Sequence, residues 1–205
     1  MLNSSQIPPF PCRDRLSRRR PTILSAAILL MCASMRPCSA AQQPRAGEYQ
    51  VKAVYLFNFG RFTEWPATTS KEDLFPICVL GTDPFGKFLD DTLTREVINS
   101  QKLIARRIAN ARDTATCKIL FISNSEAGRI KEILSVLKTT PILTVSDIPE
   151  FLNSGGMIQF VMTENKIRFA VNLAAAENAG LTLSSQLLKV ATEIKSKPNG
   201  TDRKP

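Results

Sequence analysis

No histidine occurs anywhere in the 205-residue chain, and that absence removes most catalytic chemistry at once. The common zinc sites need imidazole ligands, and Ser-His and Cys-His nucleophile systems need an imidazole base. Glycine is also scarce, at nine residues. No Gly-x-Ser-x-Gly, Walker A or Gly-x-Gly-x-x-Gly pattern is present, so the familiar nucleophile elbow and phosphate cradles are missing. Carboxylates remain as candidate acids and bases. Asp90 and Asp91 are adjacent on a predicted helix, however, so their side chains diverge and read as a solvated face. Gly155-Gly156 reads as a turn.

Positive charge is concentrated at one end. Residues 13–20, "RDRLSRRR", hold five arginines against one aspartate, followed by the 14-residue apolar run 22–35 and the small residues of "CSAAQ". This is the order of a secretory signal peptide, residues 1–41, with cleavage after Ala40 or Ala41. An uncleaved anchor is the alternative, but the run is short of the roughly 20 residues a membrane span needs. Removing six arginines and one aspartate with this segment lowers the formal charge from +9 to +4. The basic balance therefore belongs largely to targeting and does not imply a nucleic-acid partner. The remaining length suits one domain.

Cys12, Cys32 and Cys38 leave with the same segment, so the mature chain retains only Cys78 and Cys117. An even pair in an oxidising compartment favours a disulfide; two separate buried thiols are the alternative. Without a Cys-x-x-Cys spacing or a histidine to tune a thiolate, a redox-catalytic pair is disfavoured.

Along the chain, residues 48–63 read as a helix, with Val51, Val54, Tyr55, Asn58 and Phe62 on one broad face and Trp65-Pro66 as its stop. "FPICVLG" reads as a strand. "DPFGKFLDDTL" reads as a short helix capped by Asp83. "KLIARRI" and "CKILFIS" read as further strands, the second continuously apolar as in a doubly covered sheet. Asn124 or Ser125 caps a helix over 126–137 with Ile130, Ile133, Leu134 and Leu137 buried. "PILTVSD" is another strand and "IPEFLNSGG" a helical turn. Two runs flanking Glu164-Asn165 form a hairpin. Leu183, Leu187, Val190 and Ile194 then lie at helical spacing, and 196–205 reads as a disordered tail.

This alternation predicts a single α/β domain over 48–195, a three-layer sandwich with a mixed, mostly parallel sheet of flavodoxin/Rossmann-like type. A flavodoxin-like strand order sets the first and third strands side by side, which brings Cys78 near Cys117.

The most uneven feature is aromatic. Six of the fourteen aromatic residues fall in the 17 positions from Tyr49 to Trp65, including both tyrosines and the only tryptophan. Core packing is one account and a recognition surface another, since aromatics at 55, 57, 59 and 62 cannot all face one way. Tyr55, Phe57, Phe59, Arg61, Phe62 and Trp65 are the candidate surface residues. Asp147 joins them because it ends a strand, where α/β ligand sites gather; a helix cap is its alternative role. Arg106, Arg107 and Arg112 form a local basic cluster that reads as a solvated face or as a site for an anion.

The segments "VKAVYLFNFGRFTEWP", "FPICVLGTDPFGKFLD", "CKILFIS", "PILTVSD", "GGMIQFV" and "IRFAVNLAAAENAGLTLSSQLLKVA", in that order over Glu48 to Ile194, resemble the YfiR-like family of periplasmic regulators. Phe62, Trp65, Pro66, Gly81, Asp147, Gly155, Gly156, Asn172, Gly180, Leu181, Ser184, Leu187 and Leu188 stand where its pattern has them. The resemblance implies a non-enzymatic protein without a cofactor. It implies binding to, and repression of, the periplasmic part of an inner-membrane diguanylate cyclase or related sensor, with cyclic-di-GMP, biofilm formation and motility as outputs. An outer-membrane lipoprotein that sequesters the regulator, and a second copy in a homodimer, are further implied partners. Cys78 and Cys117 match the family's structural disulfide, whereas a second cysteine pair of some relatives is missing here. A periplasmic small-molecule sensor is the rival reading.

Overall fold

The computed structural model describes residues 46–67 and 73–196. The segment 1–41, read from the sequence as a signal peptide, and the tail beyond residue 196 lie outside the described residues.

The sheet grows from a central parallel ladder. Strand β2 (Leu74–Leu80) lies between β4 (Gln101–Ile108) and β5 (Ile119–Ile122), parallel to both. Next come β6 (Leu143–Ser146) and β7 (Ile158–Thr163), also parallel. These five strands run in the order β4-β2-β5-β6-β7, the flavodoxin-like order. The sheet is extended antiparallel by β8 (Lys166–Asn172) on β7 and by the two-residue β3 (Val97–Ile98) on β4. A short β10 (Ile194–Lys195) adds to β8, giving eight strands in all. The mixed, mostly parallel α/β sheet expected from the sequence is what forms.

Among the middle strands β2, β5 and β6, every position but Leu74 is buried because both faces are covered. Ile77, Val79, Phe121 and Val145 pack on one side with helices α1 (Ala46–Arg61) and α2 (Lys87–Leu93). Cys78, Leu80, Leu120 and Ile122 pack on the other with α3 (Ile130–Leu137). Ile130, Ile133, Leu134 and Leu137 form the buried stripe of α3 as their spacing predicts. The helix starts later than expected: a 3₁₀ turn, Asn124–Arg129, precedes it, and the Ser125 hydroxyl accepts from the Thr82 amide at 2.9 Å instead of capping. The β7–β8 hairpin turns at Glu164 and Asn165, with φ of 49° and 58°, the left-handed pair that a tight two-residue turn requires.

Other elements depart from the sequence reading. Helix α1 buries Ala53, Leu56 and Phe59, whereas Val51 and Val54 are 45% and 49% exposed. Apolar residues surround this helix, so periodicity selects no face; close approach does. A β-carbon on Gly60 would lie 2.8 Å from Ile98 Cδ1, so the Gly60 side must face the sheet. Asp83 caps a turn, accepting from the Phe85 amide at 2.7 Å, and α2 begins only after Gly86.

The predicted C-terminal helix is broken into pieces. Helix α4 (Leu173–Asn178) is capped by Asn172 and closed at Gly180, where φ is 76°. Strand β9 (Thr182–Leu183) then pairs with β1 (Thr63–Glu64), and Ser184 caps the short α5 (Ser185–Val190). Of the four residues at helical spacing, only Leu187 is buried within a helix. Leu183 and Ile194 lie in strands, and Val190 is exposed.

The β2–β5 pairing sets Ile77 opposite Ile119, and Cys117 lies just before β5. Cys78 and Cys117 are disulfide-bonded, with Cα atoms 5.8 Å apart. The bridge clasps the chain where β5 enters beside β2. Replacing either cysteine by serine is expected to destabilise the domain by about 2–5 kcal/mol, measured by denaturant unfolding of non-reduced protein.

Candidate functional site

Strand β6 ends in a polar pair. Ser146 is fully buried, and its hydroxyl donates to the Ile122 carbonyl at 2.7 Å and accepts from the Ile148 amide at 3.1 Å. That arrangement turns the chain and makes Ser146, not Asp147, the residue that satisfies the turn. Asp147 is left to meet α1. Its Oδ2 accepts from Lys52 Nζ at 2.6 Å and from the Tyr49 hydroxyl at 2.8 Å. Lys52 also pairs with Glu48 one turn earlier, at 2.5 Å. Its ammonium lies 4.4 Å from the Tyr49 ring centroid and 5.7 Å from that of Phe160, within cation–π range.

Lys52 is 3% exposed, an unusual location for a lysine, which is almost never fully buried unless paired. The signal that could have found it is its register: Lys52, Leu56 and Phe59 are spaced i, i+4, i+7 along one stripe. The cluster of Glu48, Lys52 and Asp147 carries one surplus negative charge. Burial, followed by the neighbouring Asp147 carboxylate and its hydrogen bond, pushes the Tyr49 phenol well above its ordinary range. Asp147 Oδ1 is buried and has no hydrogen-bond partner among the described residues. A cavity of about 320 Å³ lies here, lined by the charged cluster together with Asn124, Phe160, Met162 and Ile167.

This cavity sits beyond the carboxyl ends of β5 and β6, the side of an α/β sheet where ligands bind. The crevice between β2 and β5, where the strand order reverses, is filled. Gly81, at φ 87°, has Ser125 and Glu126 where a side chain of its own would stand.

The aromatic candidates are mostly core. Phe59 is fully buried, so it contributes no surface; its ring lies 4.9 Å from that of Phe169. Half-buried Tyr55 rests on Phe160 and Phe169 and donates to the Ile167 carbonyl at 3.4 Å. Trp65 meets Phe75 edge to face at 5.1 Å, and half-buried Phe62 packs on the same core. Phe57 and Arg61 stay nearer the surface, the guanidinium carbon 5.7 Å from the ring centroid. The structure thus joins Asp147 to Tyr49, and leaves Tyr55 to Trp65 in a separate packing role.

Two members of the basic cluster, Arg106 and Arg107, are engaged, while Arg112 is exposed. Arg107 binds both oxygens of Asp90, at 2.7 and 2.6 Å, and reaches Asp83 at 2.8 Å and the Gly86 carbonyl at 2.7 Å. Its hydrogen bond holds the Asp90 carboxyl below the ordinary range, against the opposing effect of burial. Arg106 donates to the Thr116 hydroxyl at 2.7 Å. Arg107 fastens β4 to α2 and is not available for an anion.

Two outcomes are expected at the site. Removing Asp147 alone leaves a buried ammonium short of a partner, so Asp147→Ala should cost about 3 kcal/mol, and the double variant with Lys52→Met should recover most of that loss; urea unfolding of the cycle reads it. Tyr49 keeps its proton in the folded state to higher pH than the ordinary 10.0. Above that value the unfolded chain releases the proton first, so stability should fall with rising pH. Tyr49→Phe should flatten this decline, measured as the denaturation midpoint at about pH 9 and about pH 11.

Comparison with solved structures gives loose likenesses. A conserved domain protein from Vibrio cholerae O1 biovar eltor aligns at TM-score 0.46 and 12% identity over 70% of this chain. The ABC domain in complex with L-Trp from Streptococcus pneumonia aligns at TM-score 0.44 and 10% identity over 59%. The chain spans 60% and 55% of their respective lengths. No curated protein matches. Residues 49–192 match the YfiR/HmsC-like family model, which takes in the charged cluster from Tyr49 to Asp147, the disulfide and the whole sheet except β10; the chain belongs to the YfiR/HmsC-like family.

Proposed function

We propose that the domain is a periplasmic regulatory protein that binds the periplasmic part of a membrane diguanylate cyclase and represses it. Family membership over residues 49–192 is the observation that carries this reading. On this reading the Arg-rich, apolar N-terminus is a signal peptide cleaved near Ala41, and the chain performs no reaction of its own. Among the described residues no helix is long and apolar enough to cross a membrane. A homodimer and release by an outer-membrane lipoprotein belong to the same proposal.

Repression requires only a difference in affinity between the two states of the partner. Moving an equilibrium from 1:99 to 99:1 takes about 5.5 kcal/mol of such difference. A few apolar anchors at an interface provide energies of that order. The outward side of α1 offers candidates: Val51 and Val54 are exposed beside the Phe57–Arg61 pair.

Deletion of the gene should raise cellular cyclic-di-GMP, and the exported protein supplied in trans should lower it again. Val51→Asp with Val54→Asp, both solvent-facing, should leave the fold intact and weaken repression by about tenfold, one decade of affinity. Unchanged cyclic-di-GMP in the deletion strain would refute the proposal.

A further inference from the structure

We infer that the cavity beneath the first turns of α1 binds a small organic cation, a protonated amine carried on a short apolar body. The inference takes up the small-molecule reading and does not depend on the diguanylate cyclase proposal, since a regulator of any partner can hold a ligand at this place.

Charge gives the first constraint. Two carboxylates, Glu48 and Asp147, surround one ammonium, Lys52, so the lining retains a negative charge. An anion would have only Lys52 to meet, and that group is already held by both carboxylates at 2.5 and 2.6 Å. Hydrogen bonding gives the second. Asp147 Oδ2 already receives two donors, whereas Oδ1 is buried and has none among the described residues. Oδ1 is closed to a water-sized group, so a ligand donor meets Glu48 instead, whose side chain is 26% exposed.

Shape gives the third. Phe160, Ile167 and Met162 supply apolar wall, and Met162, 56% exposed, stands at the open side on the β7–β8 hairpin. A volume of about 320 Å³ admits a ligand of ten or so heavy atoms, near the lower end of ordinary ligand sites. The cavity lies on the carboxyl-end side of the sheet, away from the filled crevice between β2 and β5.

The test titrates the purified protein with three probes of one shape: 2-phenylethylamine, 2-phenylethanol and 3-phenylpropanoate. Methyl resonances of Met162 and Ile167 provide the readout. The amine should give saturable shifts, with the alcohol at least about tenfold weaker, as expected for one charge-assisted hydrogen bond. The carboxylate probe should give none. Glu48→Gln, in the partly exposed first turn, should weaken the amine about tenfold while the protein remains folded. Equal binding of amine and alcohol, preference for the carboxylate, an affinity unchanged in Glu48→Gln, or no saturable shift with any probe would each overturn the inference. A repression defect in cells bears only on the regulatory proposal, so the two fail separately.

Discussion

The structure depends on a central parallel ladder that is buried on both faces. Strand β2 pairs with β4 along its length and with β5 over Ile77–Leu80, and its residues alternate between two separate cores. Parallel strands cannot be joined by tight turns, so each crossover must carry the chain over a face of the sheet. Helix α2 follows β2 on one face, and α3 follows β5 on the other. The same ladder sets Cys78 and Cys117 within bonding distance and places the ends of β5 and β6 side by side. Disulfide and cavity are both consequences of strand order.

Helix α1 precedes the sheet and has to be fastened to it. Apolar burial does most of this: Leu56 and Phe59 are fully buried, and a fully buried side chain of this size contributes about 1.5–3 kcal/mol. The polar contact made by the helix's first turns is different in kind. Desolvating an ammonium costs several kcal/mol, so the Lys52–Asp147–Glu48 cluster adds little net stability over a packed apolar substitute. Its effect is orientation, because the charges are satisfied only when the first turns of α1 lie over the end of β6.

The two surfaces of α1 differ in what they present. Its sheet side carries the lysine stripe and the aromatic core, while its outer side presents Val51 and Val54 to solvent. A ligand beneath the helix and a partner above it would therefore meet the same rigid element. Occupancy of one can alter the other only if α1 shifts between two positions, as any coupling between sites requires a two-state element.

The sequence by itself determined the sheet and much of its connectivity. Short continuous apolar runs bounded by turn signals read as strands covered on both faces, Glu164-Asn165 reads as the turn of a hairpin, and the stripe of α3 repeats at helical spacing. The strand order expected for this class also brought Cys78 to Cys117. What the sequence left open is where competing signals are equal. Apolar residues surround α1, so its orientation was settled by Gly60, the position that tolerates contact with Ile98, and not by periodicity. Leu183, Leu187, Val190 and Ile194 fit a helix locally, but Leu183 gains a strand partner in Thr63 and Ile194 one in Val171, and both are distant in sequence. Lys52 reads as a solvated lysine until Asp147, 95 residues away, is brought beneath it. Propensity and periodicity are properties of neighbours along the chain, whereas pairing of buried charge and close approach of backbones exist only once distant segments meet.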